Sequence, residues 1–205
     1  MKRVIQIGLI FLSLIFFQGQ AEPKVHRIIS WSYFVDIIND YCENRYPSFN
    51  THKGQLFGDL FKLKVPRYVL VVGNGTDQAY PLLAAFYLRY FSRGKVYIDA
   101  RGEEPDQRIS SAIFKLNLSS FFETAELDKL KEKKLDILIF DSGFDERKLE
   151  EMMESYRPFL KEDGLIWIDT SSFDDFASNL HFKGVKPVHL SSFGEEIGFK
   201  LFKQA

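Results

Sequence analysis

Glycines and carboxylates follow apolar runs at four places in this sequence. Gly73 and Gly75 come after one such run, and Asp99, Asp141 and Asp169 each close another. Glycine lets a backbone turn tightly and lie close to a ligand, and a carboxylate accepts hydrogen bonds or binds a cation. In an open α/β sheet, ligands bind beyond the carboxyl ends of the strands, where the strand order reverses. The pattern therefore predicts a ligand crevice at the turn around Gly73.

Two further features of this crevice follow from the same residues. A helix predicted to begin near Thr76 would point its free N–H groups at a ligand. Asp99 would be placed to accept hydrogen bonds from two ribose hydroxyls. Two plainer interpretations stay open: the glycines form an ordinary turn, and Asp99 simply precedes a loop.

The elements that must position these residues alternate between strand and helix. Tyr68–Val72 is a continuous apolar run, which is typical of a strand buried on both faces. Further strands are predicted at 96–99, 135–141 and 165–169, and helices at 76–91 and 146–160, with 163–164 closing the second helix. Two terminal strands, 185–190 and 197–202, have no helix between them and predict a hairpin. The predicted fold class is α/β: a three-layer Rossmann-like sandwich with a mostly parallel sheet and a C-terminal antiparallel hairpin.

Residues 103–130 are the ambiguous part of this pattern. Ile109, Ala112 and Leu116 fit a helix, whereas the run from Ile113 to Asn117 fits a third strand equally well. We favour the strand, because the sheet needs a neighbour there. Upstream, two helices predicted at 25–46 and 53–63 form an N-terminal helical cap over residues 22–65, and residues 66–205 form the Rossmann-like domain.

The first 21 residues have the pattern of a secretory signal. Lys2 and Arg3 precede a 14-residue apolar run, and the small residues Gly19 and Ala21 stand at the −3 and −1 positions of a cleavage site. The run is short for a bilayer-spanning helix. We therefore expect export to a periplasmic or extracellular location, with no stable membrane span after cleavage. An uncleaved N-terminal anchor is the alternative.

The charge and the cysteine content of the chain limit which kinds of binding partner and which covalent links we expect. Without Lys2 and Arg3 the chain has 25 basic and 28 acidic residues and no basic run, which argues against nucleic-acid binding. The single cysteine, Cys42, excludes an intrachain disulfide. The four histidines lack metal-ligand spacing. A small-molecule substrate is the expected partner, and the sequence does not predict an oligomeric state.

From about Pro66 to Phe202 the chain resembles class I S-adenosylmethionine-dependent methyltransferases. The resemblance rests on the glycine turn, the acidic strand end at Asp99, the segments LDILIFDSG and LKEDGLIWIDTSSF, and the terminal hairpin. It implies that Gly73, Asn74 and Gly75 approach the methionine part of the cofactor and that Asp99 holds its ribose.

The same resemblance assigns two further positions. Asn117, if it ends the third strand, stands beside the adenine. Asp141 lies next to the transferred methyl group and acts as the catalytic residue, orienting or deprotonating the acceptor. The implied activity is methyl transfer to an oxygen or nitrogen of a small molecule.

Two strand ends also resemble the metal-dependent O-methyltransferases similar to catechol methyltransferase. In those enzymes an Asp at each position of Asp141 and Asp169, with an Asn after the second, binds a divalent ion. Here Thr170 follows Asp169. A hard cation needs about six oxygens, to which these three residues could contribute. Two capping carboxylates without a metal are the alternative interpretation.

The chain departs from the methyltransferase pattern at two positions. Val71 stands where an acidic residue is usual, and Asp77 replaces the usual third glycine. These departures, together with the predicted export, leave a second function open: a degenerate methyltransferase-like domain that binds without catalysis. A nicotinamide cofactor fits less well, because its motif would need a glycine in place of Gln78.

Overall fold

The structure is a computed structural model, and the part that it describes is discontinuous. The described residues are 31–42, 52–73, 79–99, 107–125, 127–141, 144, 146–170, 182–188 and 199–204. The predicted signal sequence, residues 1–21, lies outside them, as do Asn74, Gly75 and Asp77, so export stays a prediction. Among the described residues, no helix is long and apolar enough to cross a membrane.

The described elements are six α-helices and seven strands. The helices are α1 Trp31–Cys42, α2 His52–Lys64, α3 Tyr80–Tyr90, α4 Gln107–Lys115, α5 Leu127–Glu132 and α6 Glu146–Tyr156. The strands are β1 Tyr68–Val72, β2 Lys95–Asp99, β3 Phe122–Thr124, β4 Leu135–Phe140, β5 Leu160–Asp169, β6 Val185–Pro187 and β7 Phe199–Gln204.

The strands form one sheet in the order β3-β2-β1-β4-β5-β7-β6. The neighbours from β3 to β5 pair in parallel, and β7 pairs antiparallel with both β5 and β6. The chain moves outward in one direction from β1 to β3 and then returns to the other side of β1 with β4. The strand order therefore reverses between β1 and β4, which is where such sheets bind ligands. The predicted mostly parallel sheet with a terminal antiparallel pair is confirmed.

Helices cover both faces of the sheet and make the predicted three layers. On the first face, alternate residues of the strands pack with the apolar sides of α1, α2, α3 and α4. On the second face, the other set packs with α5 and α6. The buried residues of α1 and α2, which include Phe34, Phe57 and Phe61, belong to the same apolar cluster as the sheet. The two N-terminal helices thus help to form the first face.

The predicted third strand at Ile113–Asn117 is wrong. Helix α4 occupies most of this segment, and the third strand lies further on at Phe122–Thr124. Ile109, Ala112 and Leu116 are buried, whereas Phe114 is 82 % exposed. Burial at a spacing of three and four residues is the pattern of a helix with one face on the core, and this periodicity outweighs the short apolar run.

Two predicted helix bounds are also corrected. Helix α3 begins at Tyr80 rather than near Thr76, with Pro81 in its first turn, where proline is favoured because the missing N–H has no intrahelical partner. Helix α6 ends at Tyr156 and continues as a 3₁₀ turn over Arg157–Phe159, which contains Pro158. Strand β5 begins at Leu160, so 163–164 lie within a strand, near an irregular register against β4, and do not close a helix.

Gly94 gives a test of the connection between α3 and β2. Its φ is +97°, and a Cβ atom there would lie 2.4 Å from the backbone oxygen of Arg67. We expect Gly94→Ala to lower the free energy of unfolding by roughly 1–3 kcal/mol, because backbone must move and the conformation disfavours a side chain. Urea unfolding measures this loss. Ser92→Gly is the matched control, since Ser92 has a φ of 54° and glycine relieves it. An unchanged unfolding midpoint for Gly94→Ala would contradict the argument.

Candidate functional site

Backbone pairing brings the four strand ends to one edge of the sheet. Val72 pairs with Asp99 on one side and with Phe140 on the other. Phe140 in turn pairs with Ile168. The residues just after these, Gly73, Asp141 and Asp169, are therefore level with one another. We call this edge, formed by Gly73, Asp99, Asp141 and Asp169, the carboxyl rim.

The side chains of the carboxyl rim divide between the two faces of the sheet. Along a strand, alternate residues face opposite sides. Asp141 and Asp169 follow the alternation of Ile139 and Trp167, which pack on the first face. Asp99 instead follows Tyr97, which packs on the second face. The sequence predicted a common edge, but the carboxylates of Asp141 and Asp169 lie on one side of it and that of Asp99 on the other.

Asp169 takes part in a buried ion pair that the sequence analysis did not predict. The Lys53 ammonium donates to Oδ2 of Asp169 at 2.5 Å, and the Tyr80 hydroxyl donates to the same oxygen. The exposed fractions are 3 % for Lys53 and 0 % for Asp169. The contact joins the first turn of α2, the first turn of α3 and the end of β5. It links residues 116 positions apart in the chain.

Aromatic rings surround this ion pair. Phe57 lies edge-on to Trp167 with ring centroids 5.1 Å apart, and Tyr80 contacts both rings. The Lys53 ammonium lies 5.9 Å from the centroid of the Tyr80 ring. Such surroundings exclude water and make each polar contact stronger, but they also make an uncompensated charge costly. The hydrogen bond from the Tyr80 hydroxyl adds a second donor and so helps to stabilise the buried negative charge of Asp169.

The Tyr80 hydroxyl is held in its neutral form. Burial raises the pKa of Tyr80 well above its ordinary value of 10, and the negative charge of Asp169 raises this pKa further, with a smaller contribution from Asp141. The neutral phenol can donate its proton to a carboxylate, whereas a phenolate beside Asp169 would be repelled. Tyr80 thus acts as a permanent donor at neutral pH.

Gly73 is a buried turn residue at the end of β1 where no side chain fits. Its φ is +136°, and a Cβ atom at this position would lie 2.8 Å from Cβ of Asp141. The Gly73 N–H donates to the carbonyl of Asp99 at 3.0 Å, and the Asp141 N–H donates to the carbonyl of Val72 at 3.1 Å. Both the backbone conformation and the space therefore require glycine here. Asn74 and Gly75, the other predicted turn residues, lie outside the described residues.

Asp99 has a partner from the second face. Its Oδ2 accepts a hydrogen bond from the hydroxyl of Tyr156, which is buried at the end of α6. A carboxylate has about four acceptor positions on its two oxygens, and the phenol occupies one of them. The structure thus gives Asp99 a defined orientation beside Gly73.

Asn117 does not lie with the other predicted site residues. It follows helix α4 and precedes β3, so it lies near the amino end of that strand, at the opposite edge from the carboxyl rim. The Arg89 guanidinium, at the end of α3, donates to the carbonyls of Leu116 and Asn117 at 2.8 and 3.1 Å. The predicted place beside an adenine is therefore wrong, because it depended on Asn117 ending the third strand.

The candidate metal ligands do not fit a divalent ion. Asp141 and Asp169 do lie on the same face, and Thr170, which follows Asp169, is buried as well. Asp169 is nevertheless held by the Lys53 ammonium, and a second cation at that oxygen would be repelled. Among the residues that the structure describes, no three His, Cys, Asp or Glu side chains are grouped so that they could hold a metal.

Lys53, Tyr80 and Tyr156 were missed by sequence reasoning. One local signal points to Lys53: it lies in the first turn of a helix, where a positive charge opposes the helix dipole. Such a lysine needs a carboxylate elsewhere, but nothing in the local pattern says which one. Tyr80 and Tyr156 follow ordinary apolar periodicity and give no signal of their own.

Comparison with known proteins gives relatives by structure alone. No protein-family model matches the chain, and no curated protein matches it. A proposed caffeoyl-CoA O-methyltransferase from Staphylococcus aureus superimposes with a TM-score of 0.60 at 14 % identity, over 95 % of this chain and 98 % of the other. An O-methyltransferase from Bacillus cereus in complex with SAH gives a TM-score of 0.57 at 15 % identity, over 86 % and 92 %.

A third structure extends the comparison to a complex with the methyl donor. The O-methyltransferase TomG from Streptomyces achromogenes, involved in tomaymycin synthesis and solved with SAM, gives a TM-score of 0.52 at 11 % identity, over 95 % of this chain and 96 % of the other. At such low identity the likeness establishes the fold. The chain has the Rossmann-like fold of class I S-adenosylmethionine-dependent methyltransferases, as the resemblance in the sequence predicted.

The contact between Tyr80 and Asp169 predicts a specific response to pH. Because the pKa of Tyr80 is raised by folding, its contribution to stability is complete below pH 10 and is lost as the pH rises through the raised value. Tyr80→Phe should therefore lose about 1.5–3 kcal/mol of unfolding free energy at neutral pH, from the missing hydrogen bond to a charged acceptor. Above about pH 10 it should lose stability less steeply than the wild type.

Urea unfolding at several pH values measures both effects. The control is Tyr90→Phe, which removes a hydroxyl from a ring that is 69 % exposed and should leave stability unchanged. Equal alkaline slopes for the wild type and Tyr80→Phe would show that the phenol is not held neutral by folding.

Proposed function

We propose that the carboxyl rim binds S-adenosylmethionine and that the protein transfers its methyl group to an oxygen or nitrogen of a small molecule. The observation that carries the proposal is the position of Gly73. It lies where the strand order reverses, with a backbone that accepts no side chain, and carboxylates from β2 and β4 lie on either side of it. The O-methyltransferases that share the fold support the same chemistry.

The residues present fit the cofactor in three respects. Gly73 supplies a turn without a side chain, which lets Asp141 lie directly against it, since a Cβ atom there would be 2.8 Å from Cβ of Asp141. Asp99, level with Val72, can accept hydrogen bonds from the two hydroxyls of a ribose. Asp141 places a carboxylate near the position where a sulfonium charge would lie. A ligand across the top of β1 would reach both faces and so contact Asp99 and Asp141 together.

S-adenosylmethionine supplies a methyl group on a positively charged sulfur; the acceptor atom bonds to the methyl carbon while the carbon–sulfur bond breaks and its electron pair stays on sulfur. Asp141 orients the acceptor and takes up its proton. Asp99 holds the methyl donor in place, so much of the rate acceleration would come from positioning the donor and the acceptor.

Cofactor binding can be measured directly by isothermal titration with S-adenosylmethionine. We expect heat of binding below about 1 mM cofactor, and a dissociation constant that is roughly 10- to 100-fold weaker in Asp99→Asn, because hydrogen bonds to a charged carboxylate are replaced by weaker ones. Asp128→Asn is the control, since this carboxylate is exposed and pairs with Lys131 one helical turn away.

A folded protein that gives no heat at about 1 mM cofactor would remove the claim that it binds S-adenosylmethionine. If both variants bind S-adenosylmethionine with equal affinity, the protein still binds the cofactor, but Asp99 does not contact it.

The role of Asp141 separates chemistry from binding. With a panel of phenols and amines as acceptors, we expect Asp141→Asn to lower kcat by about 10²- to 10⁴-fold, the usual effect of a general base. Cofactor affinity should change much less, because asparagine keeps the size of the side chain. Formation of S-adenosylhomocysteine gives the rate. If cofactor affinity falls as much as kcat, Asp141 is a binding residue and not the base.

A further inference from the structure

We propose that Lys53 is a built-in cation of the carboxyl rim, which holds Asp169 in the place of a divalent metal ion. The site would then bind and orient its ligands without metal. The inference rests on the proposed function only for the identity of those ligands, since the cation itself is a property of the folded chain.

The geometry makes Lys53 a tight counter-ion. Its ammonium lies 2.5 Å from Oδ2 of Asp169, and neither side chain is appreciably exposed. Tyr80 donates to the same oxygen from α3. One carboxylate oxygen therefore has two donors, one of them charged, within a shell of aromatic rings. A buried ion pair is stable only with close contact and additional hydrogen bonds, and this one has both.

The ion pair with Asp169 explains why a lysine stands at position 53. Lys53 lies in the first turn of α2, where the helix dipole disfavours a positive charge. Helix α2 is fixed on the sheet by Phe57 and Phe61, and it approaches α3 so closely that a Cβ atom on Gly58 would collide with Tyr87. This packing places the ammonium at the end of β5, where the negative charge of Asp169 offsets the free-energy cost of burying it.

A divalent ion would compete with Lys53 for the same carboxylate. Binding through Asp141 and Asp169 would bring two positive charges next to a lysine that is nearly enclosed, and repulsion is strong where water is excluded. The lysine cannot swing into solvent without breaking a buried ion pair and leaving the Asp169 carboxylate without this charged donor. The fixed ammonium therefore disfavours metal and supplies the positive charge itself.

Binding of Mn²⁺, followed by the electron paramagnetic resonance signal of the free ion, tests the proposal without any cofactor. We expect the wild type to leave Mn²⁺ free at about 1 mM, and Lys53→Met to bind it at least about tenfold more tightly than the wild type. Lys53→Arg keeps the charge and should exclude the ion as the wild type does. Lys62→Met removes an exposed lysine from the same helix and serves as the matched control.

Two results would overturn the proposal. One is Mn²⁺ binding by the wild type that Asp169→Asn abolishes, which would mean that the carboxylate serves a metal. The other is a folded Lys53→Met that gains no affinity over Lys62→Met, which would mean that Lys53 is not what keeps the ion out. If Lys53→Met does not fold, the other three proteins give the answer. The proposal is supported if neither the wild type nor Lys53→Arg binds Mn²⁺, and it is overturned if the wild type binds Mn²⁺ and Asp169→Asn does not.

The outcome is independent of the cofactor titration. A protein that excludes Mn²⁺ but gives no heat with S-adenosylmethionine keeps its internal cation and loses the proposed function. A protein that binds S-adenosylmethionine and also binds Mn²⁺ at Asp169 keeps the function and loses the internal cation.

Discussion

Strand β1 pairs with both β2 and β4, and this central pairing organises the whole sheet. The register sets Val72 opposite Asp99 and Phe140, and it thereby fixes the level at which every polar strand end emerges. Because the strand order reverses beside β1, the crossover after β1 runs over the first face through α3 and the crossover after β4 runs over the second face through α6. Gly73, where no side chain fits, lies at this point between the two crossovers. The topology alone therefore favours this edge of the sheet as the place for a ligand, before any single side chain is considered.

The two faces of the sheet contribute differently to the carboxyl rim. On the first face, Asp141 lies beside Gly73, and Asp169 is neutralised by Lys53 and bonded to Tyr80. On the second face, Asp99 is oriented by Tyr156. In both cases a phenol from a helix sets the position of a carboxylate from a strand. The ammonium reaches the sheet from a helix that precedes it in the chain, so the N-terminal segment supplies part of the site as well as part of the core.

Much of this architecture could be predicted from the sequence, because its signals are local. Continuous apolar runs in the sequence predicted β1 and β4. Two apolar runs near the C-terminus, with no helical pattern between them in the sequence, predicted the antiparallel pair. The errors occurred where two local signals competed: in the segment before Asn117, helical burial at Ile109 and Leu116 outweighed a short run that resembled a strand. The partners of the carboxylates could not be predicted, because Lys53 and Asp169 are distant in sequence and only the packing of α2 brings them together.

Hydrogen exchange of the backbone, measured by mass spectrometry with and without S-adenosylhomocysteine, shows whether a ligand binds at the carboxyl rim. In a buffer with EDTA, we expect slower exchange in the peptides that contain Gly73, Asp99 and Asp141, and unchanged exchange around Asn117 at the opposite edge. Protection confined to the edge of Asn117, protection that requires a divalent ion, or none at any concentration of the ligand would contradict this expectation.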